Sequence, residues 1–310
     1  MNANNKTLIS VVGPTAIGKT SLSILLAKHF NTEIISCDSR QFYKEMSIGT
    51  AVPTKEELQT SPHHFIQNRS IIEDYNVGAF ENDALITLEK LFNKHHQVVM
   101  VGGSGLYVDA VLKGFDEFPV VDPTIREQLM TRVKNGEINL LKNQLKDLDI
   151  ETYNSIDLDN PQRLIRALEI CIGTHFPYSS FKGKKKEKRN FKSIKIGLNG
   201  ERQKIYDRIN LRVDLMIENG LIEEARKLYP SRNLNALQTV GYKELFLFFD
   251  GIYTKEFAIE EIKKNTRRFA KRQLTWFRKD TDTIWFDYKE DPLKIIKTIE
   301  SKLSNFLKQQ

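Results

Sequence analysis

The sequence predicts an α/β protein: a P-loop core on a five-stranded parallel sheet, carrying an all-helical insertion. Three observations lead there. The apolar run Leu8–Val12 passes through Gly13-Pro14-Thr15-Ala16-Ile17-Gly18-Lys19-Thr20 into an amphipathic segment, Ser21–Phe30. Further short, apolar, β-branched runs recur with helical stretches between most of them, as in a sheet buried on both faces. That rhythm breaks once, between about Phe115 and Arg189, where only helical spacing is found.

The five runs are Leu8–Val12, Glu33–Ser36, Val98–Val101, Ile194–Leu198 and Thr283–Phe286. Within the break, Pro123 starts one helix through Ile125, Leu129 and Val133. Leu140–Leu148 makes a second helix and Pro161–Ile172 a third, with Leu164, Ile165, Leu168 and Ile170 as apolar positions. After Leu198, Arg202–Met216, Leu221–Tyr229, Val240–Phe249 and Phe257–Phe277 show helical spacing. The expected division is a catalytic core of residues 1–115 and 194–310 and an insertion of residues 116–193. No internal repeat is found.

The 310 residues suffice for one large or two modest domains. No apolar run approaches the ~20 residues needed to cross a bilayer, so no membrane association is expected. Met1–Lys6 has no apolar signal core, which points to the cytoplasm. Having only Cys37 and Cys171, far apart in sequence, argues against a disulfide framework and a structural zinc site. Cys37 reads as a small residue at a strand end. His63-His64 and His95-His96 read as surface or packing residues, since adjacent histidines diverge and no acid or cysteine sits at ligand spacing.

The net charge of +7 is unevenly spread. Lys182–Lys192 has seven basic residues against Glu187, and Thr266–Lys279 has six and no acid. Such clustering suits a polyanion, RNA or DNA above all. In the second run, Lys264, Arg268, Lys271 or Arg272, and Thr275 fall on one helical face, with Trp276 nearby. Ile262, Phe269 and Phe277 lean to another face.

Gly13–Thr20 fits the phosphate-binding pattern G-x-x-x-x-G-K-[ST]. Its glycines let backbone N–H groups wrap an anion at a helix N-terminus. Lys19 reaches the outer phosphates and the Thr20 hydroxyl is a ligand for Mg²⁺. Taken alone, the loop reads as a nucleotide (ATP) cradle. Asp38 follows the second strand, at the sheet edge where ligands sit; it either holds Mg²⁺ through water or accepts a proton. Gly102-Gly103-Ser104-Gly105 follows the third run, placing a second glycine turn at the same edge. An ordinary ATPase would carry a magnesium-holding aspartate there, and this chain has Gly102. These residues describe a P-loop protein acting on a nucleic acid. A nucleotide kinase and a non-catalytic RNA-binding NTPase share the loop.

The motifs GPTAIGKT (13–20), DSRQFY (38–43), HHF (63–65), GGSGLY (102–107), NPQRLIRALE (160–169), GYKE (241–244) and TRRFAKRQLTWFRK (266–279) together resemble the tRNA dimethylallyltransferase, or isopentenyl-tRNA transferase, family. The resemblance covers nearly the whole chain. It implies transfer of a dimethylallyl group from dimethylallyl diphosphate to the exocyclic amine of the adenosine 3′ of the anticodon, with Mg²⁺ required. The loop then holds a leaving group. Gly13, Pro14, Thr15, Ala16, Ile17, Gly18, Lys19 and Thr20 would bind diphosphate, with Arg212 (Arg208 as the near alternative) as a further partner. Asp38 would be the general base on a flipped adenosine, with Ser39, Arg40 and Gln41 as its readers. Ser104 stands where the family more often has threonine. The resemblance also carries Arg126, Gln162, Arg163, Leu164, Ile165 and Arg166 over as tRNA contacts in an anticodon-stem clamp. The run Lys182–Lys192 belongs to none of these motifs. The absence of a zinc finger after the last motif, unlike the family's eukaryotic members, points to a bacterial enzyme, and a monomer is expected.

Overall fold

In the computed structural model the described residues are 6–183 and 188–308. They form two compact units: one takes the chain up to Lys113 and again from Arg189, the other is Gly114–Lys188.

The first unit opens with β1 (Thr7–Val12), α1 (Lys19–His29), β2 (Ile34–Ser36), α2 (Lys55–Thr60), β3 (His63–His64), α3 (Val77–Phe92), β4 (Gln97–Val101) and α4 (Gly105–Lys113). The second unit holds α5 (Pro123–Lys134), α6 (Ile138–Leu148), α7 (Ile150–Ser155) and α8 (Pro161–Thr174). The first then resumes with β5 (Lys192–Asn199), α9 (Arg202–Glu218), α10 (Leu221–Leu228), α11 (Tyr242–Phe249), α12 (Lys255–Phe277), β6 (Ile284–Asp287) and α13 (Pro292–Lys308). Residues 192 and 193, assigned to the insertion from sequence, are thus the start of β5. None of the described helices is long and apolar enough to cross a membrane.

The sheet has six strands rather than the expected five, in the order β3-β2-β4-β1-β5-β6. Every pairing is parallel. The extra strand is the edge pair His63-His64, which registers on Ile34 and Ile35 of β2. Two residues carry no period-2 pattern, so it has no sequence signal. His64 Nε2 lies 2.7 Å from a Glu33 carboxylate oxygen, and His95 also faces Glu33 at 3.8 Å. These histidines therefore pack the sheet's edge.

Alternation along the strands sends side chains to two cores. Ile9, Val11, Val99, Val101, Ile196 and Leu198 meet α1, α9 and α13 on one face. Leu8, Val12, Ile35, Val98 and Met100 meet α3 and α4 on the other. A third cluster, around Val213, Leu221, Leu237, Tyr242, Leu245 and Ile262, joins α9 through α12. Val11 and Ser36 both register on Val101, so β1, β2 and β4 end at one level. The three loops that follow them leave the sheet together.

Local signals set the second unit's helices. Asp122 and Asn160 accept backbone N–H groups at the starts of α5 and α8, each followed by proline, which suits a first helical turn. Leu129, Leu141, Leu145, Leu164, Ile165, Leu168 and Cys171 form its core.

Candidate active site

The loop after β1 depends on two glycines. Gly13 has φ +144 and passes so close to β5 that a Cβ would lie 2.6 Å from the Leu198 carbonyl oxygen. Gly18 has φ +104 and leads into α1, whose first turn holds no acid. The helix dipole therefore leaves the loop electropositive. Pro14 has no N–H to offer an anion; its carbonyl instead accepts from Lys19 Nζ at 2.7 Å. Ile17 points into the core, 1% exposed, so only its backbone faces the loop.

Two further cations close on this loop from α9. Arg208 Nε donates to the Ala16 carbonyl at 2.7 Å, and Arg212 Nη1 to the Thr15 hydroxyl at 3.2 Å. Both arginines weighed from sequence are thus at the loop. Burial lowers the Lys19 pKa to about 8, with Asp38 opposing the shift and Arg212 adding to it. Burial also lowers the pKa of Arg212, and Asp38 again opposes.

A cavity of about 470 Å³ lies against the loop, lined by Gly18, Lys19, Thr20, Asp38, Arg208 and Arg212. Leu211 and Leu215 line it too, and are 60% and 46% exposed. Arg208, Leu211, Arg212 and Leu215 fall at i, i+3, i+4 and i+7 on α9, so one helical face presents cations beside an apolar strip. That spacing was present in the sequence and marks Leu211 and Leu215 as site residues.

A second cavity, about 780 Å³, is lined by Ser39, Arg40, Ser104, Tyr107, Arg272 and Trp276 among others. Thr15, Asp38, Thr50, Arg212, Phe269 and Gln273 line both. Asp38 therefore stands where a cationic recess meets a larger aromatic one.

The residues after β2 are tightly wired. Asp38 Oδ1 accepts the Arg40 N–H at 3.1 Å, so its carboxylate also caps its own turn. Ser39 and Ser104 pair hydroxyl to hydroxyl at 3.1 Å, and the Ser39 N–H donates to Ser104 Oγ. Gln41 Nε2 donates to the carbonyls of Thr50 and Ala51. Arg40 Nη1 donates to the carbonyls of Asn235 and Ala236. Cys37 is buried; its thiol donates to the Val101 carbonyl at 3.2 Å and burial pushes its pKa up, so it is no nucleophile.

On α12, Arg268, Lys271, Arg272 and Thr275 are exposed, as are Arg278 and Lys279 just beyond its end, while Lys264 pairs with Glu261. Phe269 does not join Ile262 and Phe277 inside; it is 39% exposed and lines both cavities. Trp276 packs against the glycine turn, where a Cβ on Gly105 would meet its ring at 2.3 Å. Its Nε1 donates to Asp109 at 2.8 Å.

Within the second unit, Gln162 and Arg163 are exposed at the start of α8. Arg126 donates to Glu169 and Gln162, and Arg166 donates to Glu169. Leu164 and Ile165 are corrected: at 0% and 2% exposure they are core, because α8 turns those positions inward. Of the basic run Lys182–Lys192, residues 184–187 lie outside the described residues. Arg189 pairs with Glu81 and donates to the carbonyls of Ala110 and Val111, so it is an anchor of the first unit.

The IPP transferase family model matches residues 41–280. The chain belongs to that family. A tRNA dimethylallyltransferase of Flavobacterium psychrophilum is 59% identical, the alignment covering 96% of this chain and 99% of the relative. One from Christiangramia forsetii is 62% identical over 96% and 98%. Among solved structures, the full-length tRNA isopentenylpyrophosphate transferase of Bacillus halodurans superposes with a TM-score of 0.73 at 39% identity, covering 98% of this chain and 99% of that one. A eukaryotic dimethylallyltransferase acting on tRNA gives 0.80 at 25% identity, over 97% and 80%. Like these IPP transferases, the chain is a prenyltransferase by family, with its six-stranded parallel sheet and accompanying helices.

Proposed function

We propose that this chain transfers a dimethylallyl group from dimethylallyl diphosphate to the exocyclic amine of the adenosine 3′ of the anticodon in tRNA, releasing diphosphate. The observation that carries this reading is the meeting of the two cavities at Asp38. The smaller one suits an anion with a short apolar tail: Lys19, Arg208 and Arg212 for the diphosphate, Leu211 and Leu215 for the prenyl group. The larger suits a purine swung out of its stack, with Ser39, Ser104 and Trp276 along its wall.

In the reaction, the adenosine nitrogen attacks the first prenyl carbon and the C–O bond to diphosphate breaks, its electron pair leaving with the oxygen. Asp38 accepts the proton lost by the amine. Lys19 and Arg212 offset the charge that grows on the departing oxygen. Donation from the backbone of residues 16–20 does the same.

The donor set also suits Mg²⁺. Thr20 and Asp38 supply hard oxygens to the same recess, and magnesium is commonly held by one or two protein oxygens plus substrate phosphates. Among the described residues, no cluster of three or more acidic, histidine or cysteine side chains offers an all-protein metal site. The ion would supply further positive charge to the leaving diphosphate.

Arg126, Gln162, Arg163 and Arg166 on the second unit, and the exposed cations of α12, would meet the tRNA backbone. The same reading places the enzyme in the cytoplasm as a monomer. It is tested by incubating the protein with labelled dimethylallyl diphosphate, Mg²⁺ and total tRNA. Label should enter the RNA, and excess ATP should compete weakly. Label that stays wholly in the small-molecule fraction would reject the reading.

A further inference from the structure

We infer that Gln273 is a positioning residue for the diphosphate recess, holding the loop that cradles the leaving group; this rests on the function proposed above. Gln273 sits on α12 among outward-facing cations, yet it is only 6% exposed. Its carboxamide is used at both ends. Oε1 accepts the Thr15 N–H at 2.8 Å, and Nε2 donates to the Gly103 carbonyl at 2.9 Å. One side chain thereby joins the loop after β1 to the loop after β4.

The surrounding space is as restrictive as the bonds. A Cβ on Gly103 would lie 2.2 Å from Gln273 Nε2 and 3.7 Å from Lys19 Nζ. Thr15 is held a second time, by Arg212 on its hydroxyl. Its neighbour Ala16 has φ +63, a conformation that a residue with a Cβ keeps only when its surroundings impose it. The loop is thus slung between α9 and α12. Without the carboxamide, the Thr15 N–H and the Gly103 carbonyl lose their partners and the loop's donors no longer converge. A carboxylate is no substitute, because it sets an acceptor against the Gly103 carbonyl and an anion beside Lys19.

The test compares wild type, Gln273→Met and Gln273→Glu by calorimetric titration with inorganic diphosphate and Mg²⁺, and by steady-state kinetics. Gln273→Met should weaken diphosphate binding about tenfold or more, and Gln273→Glu further. The KM for dimethylallyl diphosphate should rise, while tRNA affinity stays within about threefold. A merely structural role would lower the active fraction, and so kcat, with diphosphate affinity unchanged in the folded protein; that result overturns the inference. A measurement on wild type is independent of how the variants fold: the Thr15 amide should be protected from hydrogen exchange without ligand, and rapid exchange overturns the inference. Wild type that binds no diphosphate at all would overturn the underlying function instead.

Discussion

The Tyr242 hydroxyl donates to the Glu224 carboxylate at 2.7 Å, and that carboxylate also receives the N–H groups of Ser47, Ile48 and Gly49 at 2.8–2.9 Å. Tyr242 is fully buried, and its ring fills the space a Cβ on Gly49 would need, 2.6 Å away. The pair therefore shapes the loop that carries Thr50 and Ala51 to both cavities. Glu224→Ala should lower stability by about 2–4 kcal/mol, since several backbone donors lose a charged acceptor. It should also raise the KM for both substrates. Tyr242→Phe should cost about 1–2 kcal/mol. Urea unfolding measures both, and an unchanged midpoint for Glu224→Ala would refute the role.

Asp38→Ala should slow transfer by ~10²–10⁴, the range for a lost general base. Affinity for diphosphate measured without Mg²⁺ should hold or tighten, because a negative charge leaves the recess. Asp38→Asn separates the two jobs of this side chain, since its amide oxygen can still accept the Arg40 N–H while taking no proton. It should be as slow as Asp38→Ala. Single-turnover kinetics decide the matter, and a near-wild-type Asn variant would remove Asp38 as base.

The pH dependence follows from Lys19. Burial holds its ammonium at about 8, well below the unfolded value of about 10.4. Between those values the unfolded chain binds more protons, so this group's contribution to stability rises with pH from about 8 to about 10.4 and is flat below. Ligand binding runs the opposite way. Above about 8 the free protein loses the cation that meets diphosphate, and affinity should fall with a slope approaching one proton. Lys19→Arg keeps its charge, so it controls for titration of diphosphate itself. Calorimetry from about pH 7 to about pH 9.5 should show a steeper loss for wild type than for the arginine variant. Parallel curves would exclude Lys19 as the titrating group.

Legibility followed how local each interaction is. Gly13–Thr20 could be read because Gly18 and the start of α1 act within a few residues. The strands of the central sheet could be read from short β-branched runs, but His63-His64 could not, since two residues have no period. Contiguity misled at Leu164 and Ile165. A motif read as one tRNA-contacting stretch crosses both faces of α8, and those two positions face the core. Gln273 was invisible because its partners are 258 and 170 residues away. Only its place between the buried Ala270 and Phe277, at i, i+3 and i+7, marked it as a polar residue on an inward face.

The same contrast on α8 yields a prediction in which neighbouring residues behave differently. Arg163 is exposed and has no ion-pair partner among the described residues, whereas Leu164 is wholly buried in the second unit's own core. Arg163→Ala should leave unfolding unchanged within about 0.5 kcal/mol. It should weaken tRNA binding and reduce the slope of log affinity against log salt by ~1. Leu164→Ala should cost about 2–5 kcal/mol through the cavity it opens, with the salt slope of the folded protein intact. Diphosphate binding should survive both changes, since the cationic recess is built wholly from the first unit. Titrations at several salt concentrations, beside urea unfolding, separate these outcomes. A salt slope altered by Leu164→Ala but not by Arg163→Ala would reverse the assignment of surface and core on this helix.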